Sequence, residues 1–215
     1  MKPIRHWLAF AVVMFAAGCS TVTTQFPVGS TTGLSPDPAL IGTWLPRDEK
    51  TNAIPRTADG KIAAYIHVVP RRDGTFDIIM VSLPAKPDEK GDIDYLRATT
   101  GQAGANHFLN VVRLSPPGEK PSVAPLQGTI PIFYRLEANG DLALFRLDAD
   151  KTATAIRAGA IAGRIDRHTY QNDDKDDKGT LDIVITADPA ALDVFMAKPE
   201  SLPLFEQMGV LKKAD

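Results

Sequence analysis

Short apolar runs separated by turn residues occupy most of the chain after residue 40. Two of these runs, at 62–69 and 75–83, flank the sequence Arg-Arg-Asp-Gly at 71–74, and an Asp-Gly pair between two such runs predicts a β-hairpin. Two further runs, at 92–98 and 107–114, flank a glycine-rich stretch. The hydrophobic pattern therefore predicts consecutive antiparallel strands joined by short turns.

The clearest turn signal is the pair Asn139-Gly140, which favours a two-residue type I′ turn because both central residues need positive φ. With this pair as the loop, one face of the hairpin carries six apolar side chains in three cross-strand pairs. The pairs are Leu136 with Ala143, Tyr134 with Phe145, and Ile132 with Leu147. This register predicts one buried face and one mixed face, as in an antiparallel sheet that is wetted on one side.

The last third of the chain predicts a helix after this hairpin. Asp148 or Asp150 is suited to cap a helix over 151–162, because a carboxylate accepts hydrogen bonds from the free amides of the first turn. Gly163 then provides a stop signal.

A second helix has stronger boundary signals. Asp188 is a good N-cap, Pro189 occupies the first helical position, and Pro199 lies beyond the end. A strand at 180–186 precedes this helix and a closing strand at 208–211 follows it. Because no βαβ alternation occurs, the predicted fold is mainly β (α+β), a curved antiparallel sheet or small barrel with two short C-terminal helices.

The first residues of the chain have the pattern of an export signal. Lys2 and Arg5 precede an apolar run at 7–17, and small residues at 16–18 lead directly to Cys19, the only cysteine. The run is too short to cross a hydrocarbon core, which needs about 20 residues. We therefore predict that residues 1–18 are a lipoprotein signal peptide and that Cys19 is the acylated residue. Ordinary cleavage and secretion stay open, because Ala16 and Gly18 also satisfy the small-x-small rule.

The residues after Cys19 bear on its destination. In the enterobacterial sorting pattern an Asp after the cysteine retains a lipoprotein at the inner membrane. Ser20 stands there instead, so resemblance to that pattern implies an outer-membrane lipoprotein that faces the periplasm. Residues 19–39 show neither helical nor strand periodicity and are rich in Thr, Ser, Gly and Pro. This composition predicts a flexible tether that holds a single β-rich domain, residues 40–215, away from the bilayer.

Charge excludes some partners. The whole chain has 24 basic and 26 acidic residues. Without Lys2 and Arg5 the mature chain has 22 against 26, a net charge of −4. A mildly acidic chain gives no electrostatic basis for binding nucleic acid. A hydrophobic content of 44% is enough to build a core.

One short motif suggests a family. Gly42 and Trp44, with a Thr between them, resemble the Gly-x-Trp at the start of the first lipocalin strand. The overall arrangement resembles uncharacterised bacterial lipoproteins with a lipocalin-like domain. The resemblance implies that Gly42 lets the strand bend and that Trp44 plugs one end of an eight-stranded barrel. The chain departs from the family near its C-terminus, where Lys212 and Lys213 stand and no stacking Arg does. The alternative is that Trp44 is simply a core aromatic residue.

Residues with reactive side chains form no recognisable motif. The mature chain's His67, His107 and His168 lack the paired spacing of metal ligands, and we expect His67 and His107 to be interior strand residues or to share a site with an acid. The acidic run at 173–177 lacks the terminal Glu of a calcium loop, which favours a solvated loop. No Gly-x-Ser-x-Gly nucleophile motif is present. We therefore predict no catalytic residue, metal or cofactor.

Two functional hypotheses remain. In the first, the lipid-anchored envelope protein binds a small apolar ligand or a lipid in its sheet, a reading that requires space between the side chains of the interior. In the second, it is a structural or interaction lipoprotein that docks an envelope protein partner through a sheet edge or its helical end. An enzyme is the third and least favoured class.

Overall fold

The computed structural model describes residues 21–48, 50–84, 89–114, 128–168 and 180–214. Within these residues the strands are β1 (Thr21–Thr24), β2 (Gly42–Pro46), β3 (Ala64–Pro70), β4 (Phe76–Ser82), β5 (Asp92–Ala103), β6 (Asn106–Leu114), β7 (Ile130–Leu136), β8 (Leu142–Leu147), β9 (Gly163–His168), β10 (Thr180–Ile185) and β11 (Phe205–Lys213). The α-helices are α1 (Ala149–Arg157) and α2 (Pro189–Met196), and short 3-10 helices span Pro38–Leu40 and Pro199–Leu204.

Eight of the strands close into an antiparallel barrel. Strands β2 to β8 follow one another as a meander, and β11 pairs with both β8 and β2 to complete the ring. Closure leaves the barrel no free sheet edge. The predicted fold class is confirmed: the chain is mainly β, with a small barrel and a few short helices.

Side chains along each barrel strand alternate between the interior and the outer face. In β4 the buried Phe76, Ile78 and Met80 point into the barrel, and the residues between them point outward. The predicted β3–β4 hairpin is confirmed by the pairing of the two strands across residues 71–75. The Arg71 amide donates to the Thr75 carbonyl at 2.9 Å, and Gly74 takes a φ of +80° in the turn.

The hairpin between β7 and β8 has a different register from the predicted one. Leu136 pairs with Leu142, one residue away from the expected partner. The Glu137 amide donates to the Asp141 carbonyl at 2.8 Å, so the loop contains three residues instead of two. Gly140 alone has positive φ, +83°, as in a type I turn followed by a glycine bulge.

The register error has a physical cause in β8. Leu142 and Leu144 face the barrel interior, whereas Phe145 and Leu147 pack in a second core outside the barrel. Because both faces of this strand are covered, either register places apolar side chains on a buried face. Alternation could therefore not discriminate between the two registers.

A second layer covers one side of the barrel. It consists of a three-stranded sheet in the order β1-β10-β9, with β1 parallel and β9 antiparallel to β10, together with the two α-helices. Aromatic side chains from the outer face of the barrel join this second core with ring centroids 5.2–6.0 Å apart. They are Phe108, Phe133, Phe145 and Phe205.

The predicted tether is wrong for residues 21–39, because this segment is part of the folded domain. Residues 21–24 form β1, and Val28 is fully buried. Asp193 of α2 accepts hydrogen bonds from the amides of Gly29 and Thr31 at 2.6 and 3.0 Å. The Thr, Gly and Pro content that favoured a flexible chain instead serves close backbone packing: a Cβ on Gly29 would lie 2.3 Å from the Gln102 amide nitrogen.

The predicted helices are present with altered bounds. Asp148 caps α1 by accepting from the Lys151 amide at 2.8 Å, but the helix ends at Arg157, and residues 163–168 form β9. Asp188 caps α2 by accepting from the Ala191 amide at 2.9 Å, as predicted. The missed strand β9 is polar, and it became a strand because β10 provides its hydrogen-bonding partner.

Candidate functional site

The barrel interior contains a cavity of about 50 Å³. Fourteen side chains line it, and all of them are apolar. They are Leu40, Trp44, Ile66, Val68, Ile78, Met80, Leu96, Leu109, Val111, Ile132, Leu142, Leu144, Met208 and Leu211. Such a lining favours an apolar occupant over water, because a buried water needs polar partners.

Trp44 lies at the end of the barrel where β2 begins. Its side chain is buried, and its indole Nε1 donates to the Leu40 carbonyl at 2.8 Å. The Nζ atom of Lys213 lies 5.3 Å from the centre of the indole ring, within the range of a cation–π contact. Lys213 thus supplies a cation over Trp44 although the chain lacks the expected Arg. Gly42 has a φ of +131°, a conformation that side-chain-bearing residues rarely adopt.

The segment 35–40 closes this end of the barrel and forms its floor. The buried Tyr134 hydroxyl donates to Asp37 Oδ2 at 2.8 Å. The Asp37 amide donates to the Thr100 hydroxyl at 3.1 Å, and that hydroxyl donates to the Ser35 carbonyl. Burial raises the pKa of Tyr134, and the hydrogen bond to Asp37 raises it further. The phenol is therefore held in its neutral, donating form.

Two ion pairs lie at the opposite end, where β5 and β11 begin and where β6 and β8 end. Arg113 donates to Asp94 at 2.7 Å, and Arg146 donates to Glu206 at 2.7 Å. These side chains point inward, because Asp94 pairs with Met80, Arg113 with Leu96, and Arg146 with Ile132, all of which line the cavity. The apolar interior thus ends in a charged, half-exposed rim.

The structure separates the two histidines that could have shared a site. His67 faces outward on β3, where its Nδ1 lies 2.9 Å from the Thr43 hydroxyl and its ring stacks on Tyr65 at 6.2 Å. His107 is exposed beside Tyr134, with ring centroids 5.7 Å apart. The expectation that the two histidines are interior residues is wrong, because His67 is only half-buried and His107 is exposed. The alternative of a shared site is not met either, because β3 and β6 are not neighbouring strands.

The remaining predicted positions lie wholly or partly outside the described residues. His168 is the last residue of strand β9, and its side chain is outside the described part of the chain. Cys19 and the acidic run at 173–177 lie outside the described residues altogether. Among the side chains that are described, no three His, Cys, Asp or Glu groups come together in a way that would hold a metal ion.

The sequence did not predict the hydrogen bonds of the barrel floor or the ion pairs of the rim. Asp37 and Tyr134 are 97 positions apart in the chain, and Arg146 and Glu206 are 60 apart. No local pattern links such pairs, because the barrel closure brings them together. A weak signal did exist in β7, where a lone tyrosine alternates with isoleucines on an inward face.

In the described part of the chain, three apolar side chains on the outer face of the barrel are exposed. Val69 on β3, Ile93 on β5 and Val112 on β6 point outward and are exposed by 40–48%. Val69 and Ile93 lie on strands that are not neighbours of β7 or β8, whereas Val112 lies on β6, which pairs with β7.

Comparison of the chain with protein-family models, with curated proteins and with solved structures finds no match. In the portion of the chain that the structure covers, none of the helices has the length and apolar character required to cross a membrane.

Proposed function

We propose that this protein is a lipid-anchored cell-envelope protein, held at the outer membrane by acylation of Cys19, whose barrel binds a small apolar ligand. The observation that supports the binding function is the cavity, because every side chain that lines it is apolar. Its floor is sealed by the Trp44 and Tyr134 hydrogen bonds, so a ligand would enter from the charged rim. Catalysis is not part of the proposal.

The size of the cavity limits the ligand. About 50 Å³ is one third of the roughly 150 Å³ apolar cavity that holds benzene, and it is far below the roughly 300–1,000 Å³ of drug-sized sites. A whole lipid would not fit. The proposed ligand is therefore a compact apolar molecule or the end of one acyl chain.

Met80 and Met208 provide a way for the cavity to adapt. Both line it, and methionine is unbranched, with three rotatable bonds. Their rearrangement would lengthen the cavity without moving a strand. Each CH₂ of a ligand moved from water into this lining contributes about 0.8 kcal/mol.

Trp44 makes the proposal testable by fluorescence. The chain has two tryptophans, and the other, Trp7, belongs to the predicted signal peptide. Residues 20–215, exported to the periplasm behind a cleavable signal, would therefore carry Trp44 as their single tryptophan. A short brominated alkane should quench its emission saturably. The matched variant Leu96→Trp fills the cavity from β5 and should abolish binding. Because this variant carries a second tryptophan, its ligand binding is measured by mass spectrometry instead of fluorescence.

Native mass spectrometry of the same protein tests for natural cargo. The protein must start at Ser20, because residues 21–39 belong to the fold. A stoichiometric extra mass that organic extraction removes would support the proposed function. A bare polypeptide mass together with no saturable quenching would contradict it and would favour the alternative, docking of an envelope protein partner.

A further inference from the structure

We propose that the folded domain lies directly against the bilayer, with the end of the three-stranded sheet where β1 begins facing the lipid head groups. This inference rests on the proposed lipid attachment at Cys19. Strand β1 starts at Thr21, and in the sequence only Ser20 stands between Thr21 and Cys19.

The distance follows from chain geometry. Two residues of fully extended chain span at most about 7 Å. Had residues 21–39 been a flexible tether, their root-mean-square length would be about 24 Å. The structure removes that tether, so the anchor holds Thr21 within a head-group thickness of the membrane instead of a domain diameter away.

Strand β1 is fixed well enough to transmit this restraint. It pairs with β10 over all four of its residues, from Thr21 opposite Asp182 to Thr24 opposite Ile185. On its other side Thr24 exchanges two backbone hydrogen bonds with Thr129, at 2.8 and 2.9 Å. Detaching β1 as a spacer would expose the buried Val22 and leave these backbone groups without protein partners.

The described residues at the end of the sheet next to the anchor are polar. The row of residues at this end of the sheet runs from Thr21 through Asp182 to Asp166, and Asp166 accepts from Arg164 at 2.6 Å. Asp182 is exposed. These carboxylates do not attract an anionic surface, so the acyl chains and the short connection hold the domain in place. The matching membrane surface is one of zwitterionic head groups, which the sheet end contacts without insertion.

Site-specific labelling tests the orientation. In the lipidated protein the Cys19 sulfur is consumed, so an introduced cysteine is the single free thiol. The full lipoprotein with Asp182→Cys, labelled with bimane, is placed on phosphatidylcholine vesicles that carry a nitroxide on the head group. The control is Val69→Cys, which is exposed on β3, four strands around the barrel from β7, where β1 packs. We expect severalfold stronger quenching at position 182 than at position 69.

A spacer variant completes the test. Insertion of twenty Gly-Ser residues between Ser20 and Thr21 should reduce quenching at position 182 to the level at position 69, because the spacer adds a root-mean-square reach of about 25 Å. Equal quenching at the two positions, or no effect of the spacer, in protein whose mass shows the acyl chains would overturn this inference and leave the anchor intact. A mass without acyl chains would overturn the proposed anchor and this inference with it.

Discussion

The hydroxyl of Tyr134 donates a hydrogen bond to the carboxylate of Asp37 across the floor of the barrel, at 2.8 Å. Tyr134 is a barrel residue of β7, and Asp37 belongs to the N-terminal segment that forms the floor. The bond therefore links the floor segment to the wall that encloses the cavity.

Removing this bond should loosen the floor. Tyr134→Phe keeps the ring in the core but takes the donor away from Asp37, and we expect the free energy of unfolding to fall by about 1–3 kcal/mol. Urea denaturation measures this change. Tyr65→Phe, on the outward face of β3, is the matched control and should have a smaller effect. Equal losses in the two variants would show that the floor bond has no special role.

The same residue predicts alkaline sensitivity. Because the pKa of Tyr134 is raised in the folded protein, the unfolded chain loses this proton first as the pH rises above about 10. Stability should therefore fall with increasing pH above that value, since the unfolded state then binds fewer protons. The free energy of unfolding, measured between pH 9 and pH 11 in urea, should fall less steeply in Tyr134→Phe. Parallel curves for the two proteins would contradict the assignment.

Asp193 should be essential for holding the N-terminal segment on α2. Asp193 is 7% exposed, and its carboxylate accepts hydrogen bonds from the amides of Gly29 and Thr31. Asp193→Ala leaves both amides without this acceptor, and we expect a loss of about 2–4 kcal/mol, because hydrogen bonds to charged groups are worth about 1.5–3 kcal/mol each and are not additive. Hydrogen exchange at residues 28–31 should rise more than in the rest of the chain.

The exposed Glu200 provides the comparison for that variant. Glu200→Ala should change the free energy of unfolding by less than about 0.5 kcal/mol. If Asp193→Ala were as mild, or if it accelerated exchange uniformly, the segment would be held by its apolar contacts alone.

Enlarging the cavity should let it accept a larger probe such as benzene, even before the natural ligand is known. Leu109 lines the cavity and is buried, so Leu109→Ala should cost about 2–5 kcal/mol of stability. Benzene should then raise the midpoint of thermal unfolding of the variant, because it binds the folded state and shifts the equilibrium by mass action. The midpoint of the parent protein should rise by much less. Val112→Ala, at an exposed outward position of the same strand, should show neither effect. A variant that benzene fails to stabilise would indicate that the barrel collapses around the deletion.

Several features were predictable from the sequence because their causes are local. The Asp188-Pro189 start of α2 follows from the free amides of a first helical turn, and the β3–β4 hairpin follows from Gly74 in its turn. The β7–β8 register was not predictable in the same way, because the choice depended on what covers Phe145 from outside the barrel.

The site was less predictable than the fold. Trp44 was singled out by its neighbour Gly42, and the structure places it in the cavity wall. Neither Asp37 nor Arg113 carried any local signal, since each acquires its role from a partner that barrel closure brings close.

By itself, the sequence determined the strand-rich class, the helix caps and the turns, since these depend on neighbouring residues along the chain. The tertiary structure alone decided that the barrel closes, that its interior is nearly filled, and that residues 21–39 fold onto it instead of forming a tether. The reason is sequence separation: Gly29 meets Asp193 across 164 positions, and Val28 meets Asn110 across 82. Burial of this kind depends on surfaces that exist only after the rest of the chain has folded.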